Sequence, residues 1–296
     1  MYSGEFDVNA CLEYEQSLLE KFPFIKRKVL AKTVCQRDIT AYTVGNENGV
    51  LMCGAFHGME RITSQMLYKF LEDVCLRYDT NIRIKRALLK CGLTVVPMVN
   101  PDGVQISIYG EKTAGCYKSL VNQSLKRAKA NHKSWQANAR GVDINHNFDA
   151  GYNEVKEREI QMGIKSPAPT RYGGEFAESE RETQALCTLC RKVDFKCAVA
   201  LHTQGREIYY DFGENTNPKS LAIAKAMARL SGYKVAFPQG IAVGGGFKDW
   251  FIDCFGRPAF TLEIGKGENP LEPEIFDCEY KEVFKMLWYL LSISTK

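Results

Sequence analysis

Val50-Leu51-Met52-Cys53-Gly54-Ala55-Phe56-His57-Gly58-Met59-Glu60 opens on an unbroken apolar run and closes on a histidine and a glutamate three positions apart. A run that is apolar at every position, rather than at alternate ones, is what a strand covered on both faces requires, and 49–56 reads as such a strand. His57 then falls just past its carboxyl end, the place where open α/β sheets gather their ligands. Beyond it, the spacing of Ile62, Met66, Leu67, Phe70, Leu71 and Val74 predicts a helix over 61–78.

The same reading extends along the chain. Residues 28–34 and 39–44 read as β-branched strands, and 93–99 as a buried strand stopped by a turn at Asn100-Pro101-Asp102-Gly103. Strands follow at 196–202 and 258–264, with 208–212 pairing beside the first of these. Helices are expected at 182–190, 217–230 and 273–291, and residues 1–21 form an N-terminal extension with a helix. Buried strands interleaved with helices predict an α/β fold: a mixed, mostly parallel twisted sheet covered by helices on both faces. No linker or repeat divides residues 1–296, so one catalytic-sized domain is expected.

Composition narrows the class. With 45% hydrophobic and 25% charged residues the chain is an ordinary globular protein. No apolar stretch approaches the roughly 18 residues needed to cross a bilayer, and the acidic start lacks a signal-peptide core, so no membrane association and a cytoplasmic location are expected. The net charge of +4 is slight, and the basic stretch 112–140 carries no nucleic-acid motif, so no nucleic-acid partner is expected. Eleven cysteines, an odd number in a large chain, read as reduced and buried. Cys187 and Cys190 lack the second pair a zinc ribbon needs.

There are four histidines: His57, His132, His146 and His202. A catalytic zinc commonly takes two histidines and a glutamate and keeps one position open. A turn from strand into helix brings His57 and Glu60 to one side, and His202, at the end of a separate strand, can supply the third ligand. Glu263 lies at the end of another strand.

Taken with Asn100-Pro101-Asp102-Gly103, with 140–148, and with Thr261-Leu262-Glu263 in the same order, this pattern resembles the zinc carboxypeptidase (funnelin) family from about residue 22 to the end. The tail, 247–251 and 258–270, together with Trp135-Gln136-Ala137-Asn138, resembles its bacterial γ-D-glutamyl-meso-diaminopimelate peptidase branch, and no LysM module is read here. The resemblance implies one zinc ion held by His57, Glu60 and His202, with Glu263 as general base and proton shuttle. It implies that Asp143 orients a ligand histidine, presumed from its place to be His57, and that Asn145 hydrogen-bonds a substrate carboxylate.

Three positions depart from the digestive enzymes. His146 stands where they carry an arginine that grips a terminal carboxylate. Gln136 stands where relatives place an oxyanion-stabilising arginine, with Arg140 as a possible compensation. Ile241, followed by Gly244-Gly245-Gly246, stands where they carry a mobile tyrosine; Tyr209 and Tyr210 are weak candidates for a phenolic role. The expected function is hydrolysis of the γ-D-glutamyl-meso-diaminopimelate bond in peptidoglycan-derived peptides. The alternatives are an ordinary metallocarboxypeptidase or amidohydrolase, and a non-catalytic muropeptide-binding module.

Overall fold

The computed structural model describes residues 5–294. Its sheet has eight strands: β1 (Lys26–Lys32), β2 (Asp38–Val44), β3 (Val50–Cys53), β4 (Leu93–Val96), β5 (Cys197–Thr203), β6 (Glu207–Tyr209), β7 (Lys234–Val235) and β8 (Ala259–Ile264). They lie in the order β1-β2-β4-β3-β5-β8-β6-β7. The four central strands, β4, β3, β5 and β8, are mutually parallel. β2 and β6 join them antiparallel on either side, so the sheet is mixed as expected.

Every residue of β3 and β5 is buried. Because side chains alternate across a strand, the two faces sort cleanly. Val50, Met52, Cys197, Val199 and Leu201 enter one core with Phe70 and Leu71 of the helix Arg61–Thr80 and Met286 and Leu287 of the helix Phe276–Ser294. Leu51, Cys53, Ala198 and Ala200 enter the other, with Leu186 of the helix Arg181–Lys192 and Trp250 and Phe251 of the helix Phe247–Phe255. Coverage on both faces is why these strands are continuously apolar. β1, at the sheet's edge, carries Lys26, Arg27, Lys28 and Lys32 outward, the kind of charge that discourages edge pairing.

Several expected elements shift. β4 ends at Val96, not residue 99, and β1 spans 26–32 rather than 28–34, because Thr33 begins the turn to β2 with its amide donating to the Arg37 carbonyl. The Asn100–Gly103 turn is instead the start of a helix, Pro101–Tyr109. The Asn100 side chain accepts from the Gly103 amide at 2.8 Å, and Pro101 takes the first helical position, where its missing N–H costs nothing. The 208–212 segment does not pair beside β5. Both edges of β5 are taken by β3 and β8, so β6 adds to the free edge of β8. The N-terminal helix is present at Val8–Lys21. Among the described residues, no helix is long and apolar enough to cross a membrane.

Candidate metal centre

His57, Glu60 and His202 meet at the carboxyl ends of β3 and β5. One ligand atom from each lies within 4.8 Å of the others. The Nδ1 atoms of both rings face the Glu60 carboxylate, His57 at 2.9 Å from Oε1 and His202 at 3.0 Å from Oε2. Gly58 makes the intervening turn possible: a Cβ there would lie 2.2 Å from the Gly103 carbonyl oxygen, so only glycine lets the turn lie against the helix 101–109. Glu60 then occupies the position just before the helix Arg61–Thr80, its carboxylate turned to the histidines rather than to the helix amides.

On its other edge the His57 ring sets Nε2 3.2 Å from Oδ1 of Asp143. Asp143 is itself fixed, accepting from the Asn145 amide through Oδ1 and, at 2.8 Å, from the Arg171 amide through Oδ2. Arg171 holds a positive φ of 66° to make that bond. A neutral His57 bearing its proton on Nε2 would donate to Asp143 and leave Nδ1 free to ligate.

Electrostatics follow from burial and this carboxylate pairing. Burial works to lower the His57 pKa, but Glu60 and Asp143 reverse that and hold it well above its ordinary value. Burial likewise raises Glu60, yet His57 and His202 outweigh it and bring the carboxyl to about 2. Asp143 is held below the usual carboxylate range because His57 and His146 overcome its burial. A buried carboxylate kept ionised between two imidazoles, each with a ring nitrogen turned toward it, is a donor set that fits a divalent zinc ion. His202 Nε2 is buried with no hydrogen-bond partner.

Glu263 stands opposite His202 in the parallel β5–β8 register and on the same face of the sheet. Burial, with the charge of Glu60 added, pushes its pKa up to about 8 against the opposing pull of His57. A cavity of about 130 Å³ opens here, lined by His57, His202, Glu263, Asn145, His146 and Lys248 among others. Asn145 Oδ1 accepts from the Phe247 amide at 3.0 Å, and Nδ1 of His146 is buried without a partner.

The other sequence candidates divide. Gln136 stays near the centre: its Oε1 accepts from the Thr170 hydroxyl, which lies 3.5 Å from Asp143 Oδ2. Arg140 does not line this cavity; it faces Glu180 at 3.7 Å and lines a separate groove with Tyr117 and Tyr172. Tyr209 lines the cavity, its hydroxyl donating to Glu207 at 2.7 Å, whereas Tyr210 packs edge-on against Phe237. Lys248, Asp249 and Thr261, all in the cavity wall, and the Arg171 amide carry no motif or spacing signal for a role at the site.

Two histidines and a glutamate at the ends of parallel strands, beside a buried carboxyl group and a cavity, define a zinc hydrolase centre. The zinc carboxypeptidase family model matches residues 11–285, and the chain belongs to that family; it is a zinc-dependent peptidase. It is 32% identical over 283 residues to γ-D-glutamyl-L-diamino acid endopeptidase 1 of Lysinibacillus sphaericus, covering 94% of this chain and 70% of that one. It is 27% identical to human carboxypeptidase B, over 84% of this chain and 60% of the relative. Bovine thrombin-activatable fibrinolysis inhibitor, solved in complex with tick carboxypeptidase inhibitor, shares the fold with a TM-score of 0.75 at 19% identity, over 97% and 96% of the two chains.

Proposed function

We propose that the protein hydrolyses the γ-D-glutamyl-meso-diaminopimelate bond of peptidoglycan stem peptides, acting in the cytoplasm on peptides already freed from the wall. The observation that carries hydrolysis is the convergence of His57, Glu60 and His202 within 4.8 Å, with Glu263 one strand away on the same face. The choice of bond rests on the 32% identity to an enzyme named for cleaving after γ-D-glutamate at a diamino acid.

In this reading His57, Glu60 and His202 hold the zinc, and Asp143 fixes the tautomer of His57 through the 3.2 Å contact at Nε2. When bound, the zinc brings the pKa of a coordinated water toward neutrality and polarises the scissile carbonyl. Glu263 takes a proton from the attacking water and delivers it to the nitrogen of the leaving residue, standing opposite His202 on the same face of the sheet. Asn145 and His146, in the cavity wall, hydrogen-bond a substrate carboxylate. In the same reading Gln136, whose Oε1 accepts from Thr170, keeps its Nε2 as a neutral donor for the developing oxyanion.

The test is incubation of L-Ala-γ-D-Glu-meso-diaminopimelate with zinc-loaded and chelator-stripped protein, followed by mass-spectrometric detection of free diaminopimelate. Release by the zinc-loaded form alone is expected. A zinc-loaded protein that releases none refutes the reading.

A further inference from the structure

We infer that the helix Ile82–Lys90 is a docking face for an anionic phospholipid surface, which seats the protein with its metal centre turned away from that surface. The helix carries Arg83, Lys85, Arg86 and Lys90 and not one carboxylate. Its roll is fixed. The Asn81 side chain caps it, accepting from the Arg83 amide at 3.0 Å, and Leu88 is buried with Ile84 packed against the same core. That leaves Ile82 and Leu89 on the outer side: seven residues apart, they share a face, and they are 60% and 54% exposed. By the helical repeat Arg86 lies on that face too, with Arg83 and Lys90 along one flank. One exposed leucine needs no explanation. Two large apolar side chains on one face among cations are what an interfacial helix presents.

The end of the sheet where this helix lies is basic. The helix leads into β4, and the Asn46 amide donates to the Leu88 carbonyl at 3.0 Å just before β3 begins. At the start of β5 the Lys196 amide donates to the Gly49 carbonyl at 2.9 Å. These are the amino ends of the parallel strands, whereas His57, Glu60 and His202 meet at the carboxyl ends. Lys196 and Lys90 both act on Cys91, opposing the upward push of burial on its thiol. Glu47 is paired with Lys26 at 3.5 Å and Asp194 with Arg257 at 2.6 Å, so Asp79 is the nearest acid in sequence that faces these cations unpaired among the described residues.

Other occupants fit less well. Nine residues make about 13 Å of helix, too little for the roughly 800 Å² per partner that a stable pair of chains buries, and a two-fold contact would set these cations against themselves. A nucleic acid would use the cations and leave Ile82 and Leu89 without a role. An anionic membrane uses both: headgroups meet the cations while the two apolar side chains enter the boundary. The contact is peripheral, since so short a helix cannot cross a bilayer, and it departs from the expectation of no membrane association.

The test co-sediments the zinc-loaded full chain with vesicles of phosphatidylcholine, alone or with about one third phosphatidylglycerol, at low and raised salt. Binding to the anionic vesicles only, weakening as salt rises, is expected. Each cation near an anionic surface contributes about fivefold, so the triple variant Arg83→Gln, Arg86→Gln, Lys90→Gln should bind about 100-fold more weakly. The double variant Ile82→Ser, Leu89→Ser should bind about 10-fold more weakly with its salt dependence kept. Both variants alter exposed side chains, and melting temperature and zinc content are checked beside them. No binding to anionic vesicles at low salt overturns the proposal, and so does binding that neither variant weakens. Loss in the charge variant alone points to a polyanion such as nucleic acid and overturns the lipid assignment. A wild type that is dimeric in solution and becomes monomeric in the double variant overturns it in favour of a second copy.

Discussion

Asp143→Asn tests the second ring of contacts around the metal. Asp143 is 1% exposed, with one oxygen 3.2 Å from His57 Nε2 and the other 2.8 Å from the Arg171 amide. An asparagine keeps the shape but owns only one acceptor oxygen. If that oxygen stays on His57, the new NH2 group faces the Arg171 N–H and a buried bond is lost, costing about 1–3 kcal/mol of stability. If the amide turns over, it donates to His57 Nε2 and leaves the ring's proton on Nδ1, where a metal must bind. Either way the negative charge behind His57 is gone. Changes at such supporting groups cost about 10- to 100-fold in metal affinity, equivalent to about 1.4–2.7 kcal/mol. Zinc affinity is read by competition with a chromophoric chelator, with melting temperatures of the metal-free and zinc-loaded forms recorded alongside. A variant that binds zinc within twofold of the wild type and melts at the same temperature would refute the role assigned to Asp143.

Two further predictions concern the framework. Glu182 is fully buried, and burial, reinforced by Asp102 and Glu180, pushes its pKa up to about 8. A carboxyl raised in the folded state stabilises it below the ordinary value, and that contribution is lost as pH rises through the folded pKa. Between about pH 6 and about pH 8 the loss is about 2 kcal/mol for this group alone. Zinc-loaded Glu182→Gln should therefore melt with a flatter pH dependence over that range, and an unchanged slope would contradict the assignment. Asn100→Ala removes the cap of the helix Pro101–Tyr109 and leaves the Phe56 and Gln136 carbonyls without the Asn100 amide donor, so denaturant unfolding should show a loss of about 2–4 kcal/mol. A loss below about 1 kcal/mol would mean that these contacts do not hold the turn bearing His57.

What could be read from the sequence was what strand ends advertise. His57, His202 and Glu263 each terminate a continuously apolar run, and the sheet register places the last two side by side. Asp143 and Asn145 are visible through a motif, whereas their partners His57, Arg171 and Phe247 lie far along the chain and are brought in only by the fold. Lys248 carried no comparable signal: a lysine next to an aspartate ordinarily reads as solvated surface, and only the packing of its helix under the cavity buries it. The amide of Arg171 reaches Asp143 through a loop residue with positive φ, which no spacing rule foretells. Asn100-Pro101-Asp102-Gly103 carries residue types that start turns and helices alike, and the capping bond to Gly103 makes it a helix start. Arg140, close in sequence to Gln136, is drawn away by Glu180.

The central claim is that Glu263 moves the proton in a zinc-dependent cleavage at diaminopimelate. Its most direct test is the rate of free meso-diaminopimelate release from L-Ala-γ-D-Glu-meso-diaminopimelate by zinc-loaded wild type and zinc-loaded Glu263→Gln. The account predicts release by the wild type and a fall of about 10²- to 10⁴-fold in kcat for the variant, with bound zinc unchanged. Equal rates from the two proteins, or no release from either with zinc bound, would contradict it.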